Sequence, residues 1–133
     1  MDAAQAAPEI LIIDDDAELR EVIAETLQQY GFAVALASNG REGLEYLRKG
    51  RTPRLILLDL MMPVMNGWQF CLAKRADPAL ATIPVVALSA AAKKDPSSPY
   101  YIDVEDVIPK PVEVEQLLTV VRRVLPETAV AGH

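Results

Sequence analysis

Apolar residues in this chain follow two patterns: short unbroken runs, and stretches where they recur every three or four positions. Ile10-Leu11-Ile12-Ile13 is the first run, apolar throughout as a strand covered on both faces requires. It stops at Asp14-Asp15-Asp16. From Ala17 to Tyr30, the residues Leu19, Val22, Ile23, Leu27 and Tyr30 fall on one face of a predicted amphipathic helix, with Gly31 placed to cap it. Phe32 to Ala37 reads as a second strand. Asn39 caps a helix running to about Arg48, with Leu44 and Leu47 inward and Gly50 ending it.

A third strand, Leu55-Ile56-Leu57-Leu58, ends at Asp59, and beyond the turn Val64-Met65-Asn66-Gly67 a helix is predicted from about Trp68 to Arg75. Val85-Val86-Ala87-Leu88 is a fourth strand ending in Ser89; Val107-Ile108 is a weaker fifth, ending at Pro109-Lys110-Pro111. The closing helix, about Glu113 to Leu125, puts Val114, Leu117, Leu118, Val121, Val124 and Leu125 on one stripe. Strands alternating with helices predict an α/β fold with a mostly parallel sheet. Between Ser89 and Val107 the pattern fades. Ala90 to Lys94 has room for one helical turn, and Pro96 and Pro99 break anything longer, so the fourth helix is expected to be short or irregular. The pattern predicts one domain over 9–125, between solvated tails at 1–8 and 126–133.

Composition narrows the function classes. A length of 133 residues suits one domain, and 51% hydrophobic residues predict a packed core. Thirteen basic against nineteen acidic residues leave a net charge of −6, the wrong sign for a nucleic-acid binder. No apolar stretch approaches the roughly 20 residues that cross a bilayer, and Met1 to Pro8 has neither the basic nor the apolar part of a secretory leader. A single cysteine, Cys71, forms no internal disulfide and fits a reducing, cytoplasmic setting; it reads as a small buried hydrophobe. The only histidine is His133, which argues against His-ligated metals and His-dependent triads.

In an open parallel sheet, ligands bind beyond the carboxyl ends of the strands. Four predicted strands deliver polar groups there: Asp14 and Asp15, Asp59, Ser89 and Lys110. Each alone has a structural explanation, as a helix cap, a turn, a loop contact or a solvated charge. Together they pose an electrostatic problem. Three carboxylates at one edge raise one another's pKa unless a cation neutralises them, and an all-oxygen set selects Mg2+ over Zn2+. A lysine and a hydroxyl beside them suit an anion. This is equipment for phosphoryl transfer, with an Asp able to act as nucleophile.

The segments Ile12-Ile13-Asp14-Asp15-Asp16 with Arg20, Leu57-Leu58-Asp59-Leu60-Met61-Met62-Pro63-Val64-Met65-Asn66-Gly67, Pro84 to Ala90, and Lys110-Pro111 occur in the order and spacing of a known family. Over about Glu9 to Leu125 the chain resembles the receiver domains of bacterial two-component response regulators, the chemotaxis response regulator being the single-domain form. The resemblance implies a flavodoxin-like fold: one doubly wound, five-stranded parallel sheet in the order 2-1-3-4-5, with helices on both faces. It implies Asp59 as phosphoacceptor, Asp15 as a direct Mg2+ ligand, Asp14 acting on the metal through water, and the Met61 backbone carbonyl as the remaining ligand. Ser89 and Lys110 then match the residues that bond the phosphoryl group, and Pro111 a proline commonly preceded by a cis bond. The implied donor is a sensor histidine kinase or phosphotransfer protein, and the output is contact with a downstream effector protein. Such a chain is a switch rather than an enzyme, and is expected to stand alone.

Two departures concern the output. The family commonly places Tyr or Phe three residues before the lysine, where this chain has Val107; Tyr100 and Tyr101 lie nearby. Asp103-Val104-Glu105-Asp106 replaces the family's Gly-Ala pair. Met61 and Ala91, two residues beyond Asp59 and Ser89, have side chains unable to orient an attacking water, which predicts a phosphoryl lifetime of minutes or longer. Other classes fit less well. A haloacid-dehalogenase-type phosphatase needs a second Asp at the Met61 position, and a flavodoxin-like cofactor binder needs a phosphate loop where the acid triplet stands. A pseudo-receiver scaffold, kept open by Val107, is the alternative.

Overall fold

The structure is a computed structural model that describes residues 9–50, 52–62, 64–90, 96–98 and 101–125. The tails at 1–8 and 126–133, the helical turn expected up to Lys94, and Ala91, Pro99 and Tyr100 lie outside the described residues. The strands are β1 (Ile10–Ile13), β2 (Val34–Ala37), β3 (Leu55–Asp59), β4 (Val85–Leu88) and β5 (Asp106–Ile108). The helices are α1 (Ala17–Gln29), α2 (Gly40–Arg48), α3 (Gly67–Ala76) and α4 (Val114–Val124). Among the described residues between β4 and β5 there is no helix.

All neighbouring strands pair in parallel, in the order β2-β1-β3-β4-β5. β1, β3 and β4 are buried at every position, which is why their sequences are apolar without alternation. Successive side chains point to opposite faces and so feed two cores. Leu11, Ile13, Ile56, Leu58 and Ala87 pack with Leu44 and Leu47 of α2 and Phe70 of α3. Ile10, Ile12, Leu55, Leu57 and Val86 pack with Ile23 and Leu27 of α1 and Leu117, Leu118 and Val121 of α4.

Helix boundaries follow local chemistry. Asp16 accepts a hydrogen bond from Leu19 N at 3.2 Å, and Asn39 accepts one from Glu42 N at 2.9 Å. Asn66 and Gln69 form a reciprocal capping box on α3. At the end of α1, Gly31 takes φ 93°. Its N–H donates to Gln28 and the Phe32 N–H to Leu27, the paired bonds of a Schellman cap. Those bonds draw Phe32 into the helix terminus, so β2 starts at Val34 rather than at Phe32.

The predicted helix stripes need correction. Val22 and Tyr30 are 55% and 51% exposed, whereas Ala24 is buried with Ile23 and Leu27. At about 3.6 residues per turn, Val22 lies well over a third of a turn from the buried face. Tyr30 sits past the last turn, and its ring instead carries the Arg122 guanidinium at 5.3 Å. On α4, Val114 is 46% exposed because it opens the first turn, and Val120 joins the buried face.

Candidate functional site

The sheet register brings the acids together. Ile13 pairs with Leu58, so Asp14 leaves β1 level with Asp59 at the end of β3. Asp59 pairs with Leu88, and Leu88 with Ile108, which sets Ser89 and the Lys110 loop along the same rim. The Ser89 N–H donates to the Ile108 carbonyl at 3.1 Å, tying the ends of β4 and β5 together.

Asp14 is fully buried and held on three sides. Its N–H donates to Ala37 O at 3.2 Å, its Oδ1 accepts from Asp16 N at 2.9 Å, and its carbonyl accepts from Arg20 Nη1 at 2.7 Å. Its Oδ2 is buried without a hydrogen-bond partner, 3.5 Å from Lys110 Nζ. Asp59 is 2% exposed, and its Oδ1 accepts from Met61 N at 3.2 Å and lies 3.2 Å from Lys110 Nζ. Asp15 is exposed, yet carboxylate oxygens of Asp14, Asp15 and Asp59 all lie within 4.8 Å of one another. Ser89 is buried, the Met61 side chain is exposed, and the Lys110–Pro111 peptide is cis.

This crowding shows in the acid–base chemistry. Burial, and then the Asp14 charge, push Asp59 above the usual carboxylate range, against the opposing pull of the Met61 amide and Lys110. Burial and the adjacent Asp59 push Asp15 up as well. One lysine therefore serves three carboxyl groups, which leaves excess negative charge and one orphaned buried oxygen. A hard divalent cation fits that deficit, because the donors are all oxygen and one of them lacks any hydrogen bond.

The sequence motifs singled out Arg20 without giving it a task; the structure places it on the Asp14 carbonyl. Trp68, on α3, donates its indole N–H to Tyr101 O at 3.3 Å, which pins the segment leading to β5. The buried Lys74 was not singled out, since a lysine at helical spacing reads as a solvated charge.

The response regulator receiver domain family matches residues 10–122, and the chain belongs to that family. It is 35% identical to the alkaline phosphatase synthesis transcriptional regulatory protein SphR of Synechococcus elongatus, over 92% of this chain and 51% of that protein. It is 36% identical to the DNA-binding dual master transcriptional regulator RpaA of Synechocystis, over 91% of this chain and 50% of that protein. The chain thus spans about half the length of the curated relatives it matches. Among solved structures, Vibrio cholerae chemotaxis protein CheY4 superposes with a TM-score of 0.75 at 30% identity, covering 90% of this chain and 99% of that one. A signal receiver domain of a histidine kinase from Syntrophus aciditrophicus gives 0.76 at 34% identity, covering 90% of each chain. Membership in this family of response-regulator receivers supports a phosphoacceptor role. Among the described residues no helix is long and apolar enough to cross a membrane.

Proposed function

We propose that Asp59 accepts a phosphoryl group from the phosphohistidine of a sensor histidine kinase or phosphotransfer protein, with Mg2+ as cofactor. The phosphorylated chain then signals in the cytoplasm through altered contacts with a downstream effector protein. The observation that carries this reading is the set of three carboxylates within 4.8 Å of one another beside the Lys110 ammonium.

An Asp59 carboxylate oxygen attacks phosphorus in line while the bond from phosphorus to the donor imidazole nitrogen breaks. Lys110, already 3.2 Å from Asp59 Oδ1, offsets charge on the phosphoryl oxygens, and the Ser89 hydroxyl serves as a donor to one of them. Asp14, Asp15, Asp59 and the Met61 carbonyl are the groups that would hold Mg2+. The bound ion would supply charge neutralisation for the acids and for the incoming phosphoryl group. Arg20 fixes the Asp14 main chain, and the Met61 N–H fixes Asp59 Oδ1, so the acids do not have to reorganise.

The product carries about two negative charges where a carboxylate carried one, a change able to bias a loop or helix between two arrangements. The net charge of −6 supports a protein partner rather than nucleic acid for these residues. Incubation with a radiolabelled small acyl phosphate and Mg2+ tests the reading. Label should enter the wild-type chain and be absent from Asp59→Asn; undiminished labelling of Asp59→Asn would refute it. Labelling of the wild type with no change in its amide spectrum would favour the pseudo-receiver reading, in which half-buried Val107 provides no aromatic ring to reorient.

A further inference from the structure

One buried charge plays no part in this chemistry. α3 turns Gly67, Phe70 and Lys74 inward, so an ammonium-bearing side chain holds the core-facing position one turn after Phe70. Lys74 is 7% exposed, and its Nζ donates to the Ala81 carbonyl at 2.9 Å. The ion pairs among the described residues engage Arg54, Arg75, Lys110 and Arg123, and none engages Lys74. An ammonium has three N–H donors, and a buried cation without a counter-charge is costly. Burial accordingly lowers the Lys74 pKa, against the opposing influence of Cys71 and with a smaller contribution from the neighbouring Arg75. A neutral donor would hold the Ala81 carbonyl at less expense, so a strut alone does not explain a lysine here.

Lys74 and Ala81 both border a cleft of about 380 Å³, within the range small ligands occupy. Ile83, Val85 and Val104 supply apolar wall, and Arg75 and Asp103 stand on the rim 3.8 Å apart. The cleft lies before β4 and β5, at the sheet edge opposite Asp59. We propose that it binds a small organic monocarboxylate, with the anionic end on Lys74 and a short hydrocarbon end against Ile83, Val85 and Val104. Asp103 and Glu105 in the lining disfavour more highly charged anions. The proposal is independent of the phosphoacceptor reading.

Titration of the isotope-labelled full chain with butyrate, followed by proton–nitrogen correlation spectra, tests it. Butyramide is the neutral isostere, and inorganic phosphate the more highly charged anion. Saturable shifts are expected at Lys74, Ala81 to Ile83, Val85 and Asp103 to Glu105, with butyramide and phosphate binding at least about tenfold more weakly. Lys74→Met, which keeps the aliphatic stem, should abolish saturation, and Lys74→Arg should keep it. If the methionine variant does not fold, the butyramide comparison and the arginine variant decide. Absence of saturation, equal binding of butyramide or phosphate, or unchanged binding by Lys74→Met would each overturn the proposal.

Discussion

Lys110 Nζ lies 3.2 Å from Asp59 Oδ1, which makes this lysine the clamp between the end of β5 and the end of β3. The same ammonium is 3.5 Å from Asp14 Oδ2, so it compensates two buried acids at once. Lys110→Ala would leave both without a cation. In chelator-treated buffer at neutral pH, the variant should lose about 2 kcal/mol of stability, less than a fully buried pair because Lys110 is 27% exposed. Mg2+ should return more stability to the variant than to the wild type, since the competing positive charge is gone. Urea unfolding with and without Mg2+ measures both, and equal Mg2+ effects would contradict the clamp.

Removing an acid should do the opposite. The folded state holds the Asp59 pKa above its ordinary 3.8 through burial and Asp14, so ionising Asp59 costs stability as pH rises through the carboxylate range. Asp59→Asn abolishes that ionisation. In metal-free buffer at pH near neutrality, the variant should therefore be more stable than wild type, by about 1 kcal/mol. The advantage should shrink as pH falls and the wild-type carboxyl takes up its proton. A variant less stable than wild type at neutral pH would show that the Lys110 and Met61 contacts outweigh the repulsion.

Strain sits beside the site at Val64, which has φ 71°. A β-branched residue is a true outlier in the left-handed region, at about 1–2 kcal/mol. Val64 is also 71% exposed, so its side chain gives little packing in return. Val64→Asn, a residue that tolerates this conformation, should raise stability by about 1 kcal/mol. Thermal unfolding checks it, and an unchanged or lowered midpoint would contradict the strain.

Much of this was legible in the sequence because the strands declare themselves. β1 and β4 coincide with the apolar runs Ile10–Ile13 and Val85–Leu88, and β3 with Leu55–Leu58, since burial on both faces selects apolar residues; the buried Asp59 extends β3 by one residue at the site end. Asp14, Asp59 and Ser89 were identifiable for a related reason, since each directly follows, or closes, such a run; Asp15 lies one residue further on, and Lys110 two residues beyond Ile108 of β5. Side-chain direction on helices was less legible. Val22 and Val114 fit a three-and-four spacing, yet exposure also depends on where the helix axis meets the sheet and where its turns begin. Lys74 escaped notice because helical spacing alone does not tell a snorkelling lysine from one directed inward, and Arg20, though part of the motif, had no readable task because its partner is a main-chain carbonyl.

Cys71 gives a test of the α3 packing that needs no phosphodonor. It is half-buried, and burial pushes its thiol up to about 11, against the opposing effect of Lys74 and Arg75. Relative to an ordinary thiol at 9.0, that leaves about 100-fold less thiolate at pH 8. Higher intrinsic nucleophilicity of the rarer thiolate recovers nearly tenfold of the loss. Iodoacetamide should therefore alkylate the native chain about tenfold more slowly than the urea-unfolded chain, with the native rate still climbing beyond pH 9. Since Cys71 is the only cysteine, total thiol loss reports the site directly. Native alkylation as fast as that of the unfolded chain, or levelling off below pH 9, would mean that α3 does not pack its Cys71 face as described.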